Sequence, residues 1–533
     1  MVVARASPAQ RRKPFKIRAS TLSCAPPLPP EPDLPAKADV LPAAGLTFRH
    51  VLLALIALTA IRLIGLYYST ADLFVDEAQY WAWSRDLALG YFSKPPLLAW
   101  IIAASDLICG SGEACVRAAS PILYLATCLI AYAVARELYD QRTACWAALT
   151  LAVATGLSFS ARIISTDVPL LLLWSLALLA YVKLLRAPDW RWTLVLGLAL
   201  GFGMLAKYAM VYFLLCAICA ALIDRDARGV LMRPQTWVAL LLAVVIVSPN
   251  IYWNVANGFV TLKHTGGNIT GDGFRFKPLA PFEFIGSQFI LPGPLVFAAF
   301  LVILARLRRV RVAADRLMLA FALPPLGLIT ALAFLRSPNA NWAAMSIVSL
   351  VILVTARWVR NGEWRWLKAT LVIGIAAQAA MIACDAFAYR ISLPMLGRQA
   401  DIYHRTLGWR ELGSRAAQLA REAQAKTVTS EPRAEVASLI YYLRNEPVRV
   451  LSWPTSTEPV DDFDLTRALT QAAALPVLYV SSCAAIERLK DYYDEVTPLG
   501  GFTTSAGPHT TRQYYAFKLA KPRHPIAALG DCR

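Results

Sequence analysis

The sequence predicts a polytopic α-helical membrane protein of about eleven transmembrane helices, followed by a C-terminal soluble α/β domain. Three observations carry that prediction. The composition is too apolar for a soluble chain, apolar runs of span length alternate with short basic segments, and the composition turns soluble from about residue 400. Of 533 residues, 57% are apolar and 17% charged, and the mean hydropathy is +0.49. A soluble domain cannot bury that much apolar surface, so the excess faces lipid.

The runs fall near 48–67, 117–136, 143–161, 167–185, 192–206, 208–223, 236–254, 284–305, 316–335, 341–358 and 366–388. The run 96–108 is short, carries Asp106 and is bracketed by Pro95, Pro96 and Gly110, so it reads as a helix lying in the interface. Leaving it out of the span count puts the basic clusters around Arg136, Lys183, Arg225, Arg306 and Arg357 on one side, with the basic leader. That side is the cytoplasm. The net charge of +18 is therefore topological and does not point to nucleic acid.

The leader, 1–46, combines Arg11, Arg12, Lys13, Lys16 and Arg18 with a proline-rich stretch and is expected to be a disordered cytoplasmic tail. No cleavage site follows the first apolar run, which reads as a retained start-transfer helix. The membrane domain covers 47–390, with outer loops at 68–116 and 255–283. The remainder, 391–533, is expected on the outer side. There an amphipathic helix at 409–423 precedes strands near 427–430, 447–452, 476–481 and 514–519, with helical patterns at 432–444 and 484–493. The ten cysteines form no zinc-type quartet. Cys109 and Cys115 sit in the first outer loop, where a disulfide and two thiols are both open readings.

Cations are scarce on the outer side, so Lys94, Arg162, Lys207 and Arg336 each need a reason. As a helix, the segment from Val75 places Asp76, Tyr80 and Trp83 on one face at i, i+4 and i+7. A carboxylate beside aromatic rings at a membrane surface is partly desolvated and a stronger base. The alternative is that Asp76 or Glu77 caps this helix. Lys94 precedes Pro95 and Pro96 at the start of the interfacial helix, which suits a lipid phosphate; a lysine snorkelling to headgroups fits the same position. Asp167, two residues before Pro169, is either an N-terminal cap or a second acid on the same membrane face as Asp76.

Asp76-Glu77, Tyr91-x-x-Lys94-Pro95-Pro96, Thr166-Asp167-x-Pro169 and Leu205-Ala206-Lys207-Tyr208 occur in an order that resembles the bacterial glycosyltransferases related to protein O-mannosyltransferases and the lipid A aminoarabinose transferase. The resemblance covers about residues 48 to 345. It implies a GT-C fold and transfer of a sugar from a polyprenyl-phosphate donor, with inversion, to a lipid, glycan or protein acceptor. The site is implied at the outer face of the bacterial inner membrane, with 391–533 periplasmic. By resemblance Asp76 is the base or acceptor-orienting group, with Glu77 beside it, and Asp167 is the second acid. Lys94 is a donor-phosphate ligand, and Lys207, Arg162 and Arg336 are further cations for the leaving phosphate. Tyr80, Trp83, Tyr91 and His264 are candidates for substrate binding. No cofactor is fixed by these residues. A divalent metal at His264 is one reading, but Ser93 stands where some aminoarabinose transferases carry an acidic residue, which speaks against both a metal and aminoarabinose. A transporter or lipid flippase is the alternative from another class, although such proteins place ionisable groups mid-span and show internal repeats.

Overall fold

In the computed structural model, residues 46–270, 276–393, 401–484 and 486–529 are described. The leader expected to be a disordered tail lies outside them. Each of the eleven apolar runs is occupied by helix. Six helices are long and apolar enough to cross a membrane: Phe48–Tyr68, Glu113–Leu138, Asp167–Arg186, Pro234–Ala256, Ala313–Ala333 and Trp364–Ala386. Other runs are shorter or broken, as at Trp190–Ala206 and Tyr212–Ile223. The run 96–108 is the thirteen-residue helix Leu97–Cys109.

Two of the runs break into helix pairs, and the breaks meet. Gln141–Ala152 is followed by Thr155–Ser160, and Ala280–Gln288 by Pro294–Ala305. The amide of Gly156 donates to the carbonyl of Leu291 at 2.7 Å. A Cβ at Gly156 would lie 2.9 Å from that oxygen, so only glycine permits the approach. Irregular backbone at this depth is tolerated when its polar groups pair or line a cavity, and both conditions hold here, since Gly156 and Leu291 line the large cavity described below.

The core of the membrane domain is filled by Trp174, Tyr181, Phe213 and Phe321, with Phe213 and Phe321 rings 5.0 Å apart. Helix Trp190–Ala206 packs closely on Pro234–Ala256 through Gly197, where a Cβ would lie 2.8 Å from the Ala239 carbonyl. Arg62, buried in the first helix, donates to Gln378 at 2.9 Å and to the Ala152 carbonyl at 2.7 Å. It thereby joins the first helix, the last one and the break after Ala152.

The soluble part contains a five-stranded sheet of β1 Thr427–Ser430, β2 Arg449–Ser452, β3 Val477–Ser481, β4 Tyr493–Ser505 and β5 Thr511–Pro522, in the order β2-β1-β3-β5-β4. β2, β1 and β3 run parallel, and β5 and β4 are antiparallel additions. Helices Trp409–Glu422 and Arg433–Tyr442 match the expected ones. The expected helix at 484–493 shrinks to one turn, Glu487–Lys490, and β4 takes the following residues. β4 contains Pro498, Gly500 and Gly501, which read as a turn. As an edge strand it accommodates them at an irregularity between Pro498 and Gly500.

This domain docks on the loop 68–116. The buried Asp72 carboxylate accepts the amides of Trp409 at 3.0 Å and Arg410 at 3.1 Å. Trp81 meets Tyr441 edge-on at 5.0 Å. Asp462 accepts from Trp83 Nε1 at 2.8 Å and from the Phe92 amide at 2.9 Å, and burial pushes its carboxyl up to about 6. Cys109 and Cys115 are joined by a disulfide, with Cα atoms 5.8 Å apart, which closes the turn after the interfacial helix.

Candidate functional site

Helix Val75–Arg85 opens with two adjacent acids whose surroundings differ completely. Glu77 turns inward: its oxygens accept from Arg117 at 2.7 and 2.9 Å, from the Phe74 amide at 2.9 Å and from the Ile164 amide at 2.9 Å. It performs the capping that the sequence left open between the two acids, and its acceptor sites are filled. Asp76 points the other way, half-exposed, into a cavity of about 880 Å³. Its partner there is Arg433 of the soluble domain, whose Nη1 lies 2.9 Å from Oδ1 and also donates to Gln79.

Across the cavity stands Asp167, in the first turn of its helix. Thr166 makes no side-chain cap bond, and the Asp167 oxygens are taken instead by Lys207 Nζ and Asn341 Nδ2, each at 2.6 Å. Lys207 reaches this position because the chain is extended between Trp190–Ala206 and the following 3-10 turn Tyr208–Val211. Lys94 also lines the cavity and makes no ion pair among the described residues. Burial and the nearby Lys207 hold its ammonium below the usual lysine range, and Asp76 and Asp167 oppose that shift.

Tyr80 faces the cavity, and burial followed by the Asp76 charge pushes its phenol well above the usual value. It therefore stays a neutral hydroxyl. A second end of the cavity is built around Asp385, which receives Arg162 Nε at 2.6 Å and the Tyr403 hydroxyl at 2.6 Å. Arg405 lies beside it, its guanidinium 5.1 Å from the Phe74 ring.

Of the residues singled out in the sequence, the cavity gathers Asp76, Glu77, Tyr80, Lys94, Arg162, Asp167 and Lys207. Four stand apart from its lining. Trp83 and Tyr91 stack on each other at 4.4 Å and shape the loop from behind. His264 packs edge-on against Phe92 at 5.7 Å, and burial with the nearby Lys94 holds its imidazole below the usual value. Arg336 donates to the Gly267 carbonyl at 2.6 Å. Among the described residues no group of three His, Cys, Asp or Glu side chains is arranged to hold a metal ion.

The sequence reading missed Asn341, Asp385, Arg405 and Arg433. Asn339 and Asn341 form a polar turn between two spans on the same face as Asp76, a signal available from charge parity. Asp385 lies at the end of the helix Trp364–Ala386, where it meets Arg162 across the bundle, and Arg405 and Arg433 depend on how the following residues dock.

The sequence model of the dolichyl-phosphate-mannose-protein mannosyltransferase family matches residues 93–253. A lipid A galacturonosyltransferase from Rhizobium johnstonii is 30% identical over 439 residues, which covers 82% of this chain and 91% of that protein. An undecaprenyl phosphate-alpha-4-amino-4-deoxy-L-arabinose arabinosyl transferase from Pseudomonas paraeruginosa is 33% identical over 178 residues, 32% of each chain. Among solved structures, ArnT from Cupriavidus metallidurans bound to undecaprenyl phosphate superposes with a TM-score of 0.60 at 18% identity, covering 87% of this chain and 97% of that one. The fold is thus shared almost end to end, and the similarity to the galacturonosyltransferase runs through both the membrane and soluble parts. The chain belongs to the GT-C family of membrane glycosyltransferases that includes these enzymes.

Proposed function

We propose that the protein transfers a sugar from a polyprenyl-phosphate carrier to a lipid A-type glycolipid at the outer face of the inner membrane. The observation that carries this reading is one cavity that holds both a half-exposed carboxylate, Asp76, and a half-buried lysine, Lys94, that makes no ion pair among the described residues. Lipid A and a polyprenyl carrier are the chemistry named for the relatives. A family of transferases speaks against the transporter alternative.

In this mechanism the acceptor hydroxyl oxygen attacks the anomeric carbon and gives its proton to Asp76. The bond from that carbon to the phosphate oxygen breaks on the opposite side, with inversion, and its electron pair leaves with the lipid phosphate. Lys94 and Lys207 stabilise the growing negative charge, and Arg162 contributes from the other end of the cavity. Asp167 and Asn341 hold Lys207 in place, and Glu77 with Arg117 holds the helix that presents Asp76. No nucleotide domain is needed for the leaving group.

The basic segments would face the cytoplasm, and the soluble domain would lie outside. Mass spectrometry of the lipid A fraction, comparing a deletion strain with one carrying the restored gene, tests the reading. Loss of a single sugar mass is expected. Unchanged lipid A, with transfer absent from every polyprenyl-phosphate sugar offered to the purified protein, would overturn it.

A further inference from the structure

The turn that carries Lys94 is held from three sides. From within, the Tyr91 amide donates to the Lys94 carbonyl at 3.1 Å, and the Tyr91 ring stacks on Trp83 while its hydroxyl donates to the Trp83 carbonyl at 3.0 Å. From the helix Val260–Thr270, Thr261 Oγ1 donates to the Tyr91 carbonyl at 2.7 Å. The third hold comes from the soluble domain. Asp462, 4% exposed, accepts the Phe92 amide on Oδ1 at 2.9 Å and the Trp83 indole N–H on Oδ2 at 2.8 Å. Phe92 and Trp83 are themselves buried, so without this carboxylate two buried donors lose their acceptors.

Asp462 differs in this from the acids beside it. Asp461 Oδ1 turns back to the amides of Phe463 and Asp464, at 2.7 and 3.1 Å, and Asp464 Oδ1 accepts from Ser452 Oγ at 2.8 Å. Both serve their own domain. Among the described residues, Asp462 is the one of the three whose side chain hydrogen-bonds the loop 68–116, and its two oxygens take donors from two places in it. One is the last turn of the helix Val75–Arg85, whose first turn presents Asp76. The other is the turn two residues before Lys94. A carboxylate is the group this contact requires, because an amide of the same shape has one acceptor and, in place of the other, an NH2 that would face an N–H.

We propose that Asp462, supplied by the soluble domain, is a positioning residue: by clamping the Phe92 amide to the Trp83 indole it sets where the Lys94 ammonium stands in the cavity, and so governs binding of the donor phosphate. This rests on the reading of Lys94 as the donor-phosphate ligand. Asp462 touches neither the cavity lining nor Lys94 itself, so its effect passes through the turn.

The test uses the full chain in lipid nanodiscs, with undecaprenyl phosphate as the binding probe and thermal unfolding alongside. Asp462→Asn is expected to weaken binding by on the order of tenfold, the scale of a lost hydrogen bond to a charged group. In a Lys94→Ala background the same substitution should change binding by less than about twofold, because a residue that acts through Lys94 has nothing left to position. Trp83→Phe removes the indole N–H and keeps a ring to stack on Tyr91. Joined to Asp462→Asn, it should bring binding back to within about threefold of Trp83→Phe alone. Asp462→Glu keeps the charge and both acceptors but displaces the turn by one methylene; it should reproduce the loss, and it decides the question if Asp462→Asn does not fold. Equal losses with and without Lys94 would mean that Asp462 only holds the domain in place, and would overturn the proposal. So would unchanged binding by Asp462→Asn beside a weakened Lys94→Ala. Wild-type binding by Lys94→Ala is a different outcome, which would overturn the reading of Lys94 and the proposal with it.

Discussion

Glu77 and Arg117 form a buried ion pair, 2.7 Å between Oε2 and Nη2, with 2% and 4% of their side chains exposed. Arg117 also donates to the carbonyls of Ala71 and Asp72, and Glu77 accepts the Ile164 amide. One pair therefore ties the start of the loop 68–116, the helix Val75–Arg85 and the turn before Asp167 into a single frame. Glu77→Gln leaves Arg117 charged and uncompensated in that frame, which costs about 3–5 kcal/mol. Thermal unfolding of the purified variant should show a large loss of stability together with lost transfer. A variant as stable as wild type would remove the framing role.

Asp76, one residue earlier, should behave in the opposite way. Its side chain is half-exposed and caps nothing, so Asp76→Asn keeps the shape and a hydrogen bond toward Arg433 while losing basicity. Stability should be preserved and transfer should fall by about 10²–10⁴. Near-normal transfer by a folded Asp76→Asn protein would end its assignment as the base. The contrast between neighbours is the sharper test, because a general disturbance of the helix would affect both variants alike.

How far this division was legible in the sequence depends on the distance between partners along the chain. Asp76, Lys94, Asp167 and Lys207 could be gathered because charge parity and short local motifs put them on one membrane face, and the cavity joins them. Neither signal separates Asp76 from Glu77, since capping potential is the same for both; the choice is made by Arg117, forty residues away. Arg433 lies 357 residues from Asp76, and its role exists only once the soluble domain docks through Asp72, Trp81 and Asp462. Trp83 and Tyr91, grouped with the substrate by their aromatic character, are instead the stacked support behind the loop. The sheet was legible where strands are short runs buried almost throughout, as at β1, β2 and β3, and lost at β4, whose proline and glycines interrupt the strand pattern.

The two site lysines should separate by what each leaves behind. Among the described residues Lys94 has no carboxylate partner, so Lys94→Ala strands no charge and should leave stability near wild type. Donor binding should weaken by on the order of a hundredfold, the scale of a lost charge-assisted phosphate contact. Lys207→Ala removes the partner of the buried Asp167 and should lower both stability and binding. Titration of each variant with undecaprenyl phosphate, together with thermal unfolding, distinguishes the two. Unchanged binding by Lys94→Ala would return that residue to the role of a lysine near headgroups.

Topology follows from the basic segments and an odd number of spans. Reporter fusions at Arg142 and Arg309 should read cytoplasmic, and one at the C-terminus periplasmic. A cytoplasmic C-terminus would put Arg433 and Asp76 on opposite sides of the membrane, which the 2.9 Å contact between them forbids. The span count would then need revision at the runs broken near Gly156 and Gly293.

The soluble domain carries a pH dependence of its own. Burial, reinforced by the neighbouring Glu431, pushes the Glu435 carboxyl up to about 7 from an ordinary 4.5, although Ser430 Oγ donates to it at 2.9 Å. Between those two values the folded chain holds a proton that the unfolded chain has lost. Stability from this group is therefore complete below about pH 4.5 and is lost as pH rises through 7, up to about 3 kcal/mol in all. Asp462, raised to about 6, acts in the same direction over a lower window. The unfolding midpoint of the full chain in nanodiscs should fall as pH is raised from about 5.5 to about 8.5. Glu435→Gln stays neutral throughout and can still bond Ser430. It should be the more stable protein at the alkaline end and should lose the slope above about pH 6.5, while the part due to Asp462 persists below it. Parallel curves for variant and wild type would show that Glu435 is ionised in the folded protein, and that the burial of its carboxyl is offset by contacts other than Ser430.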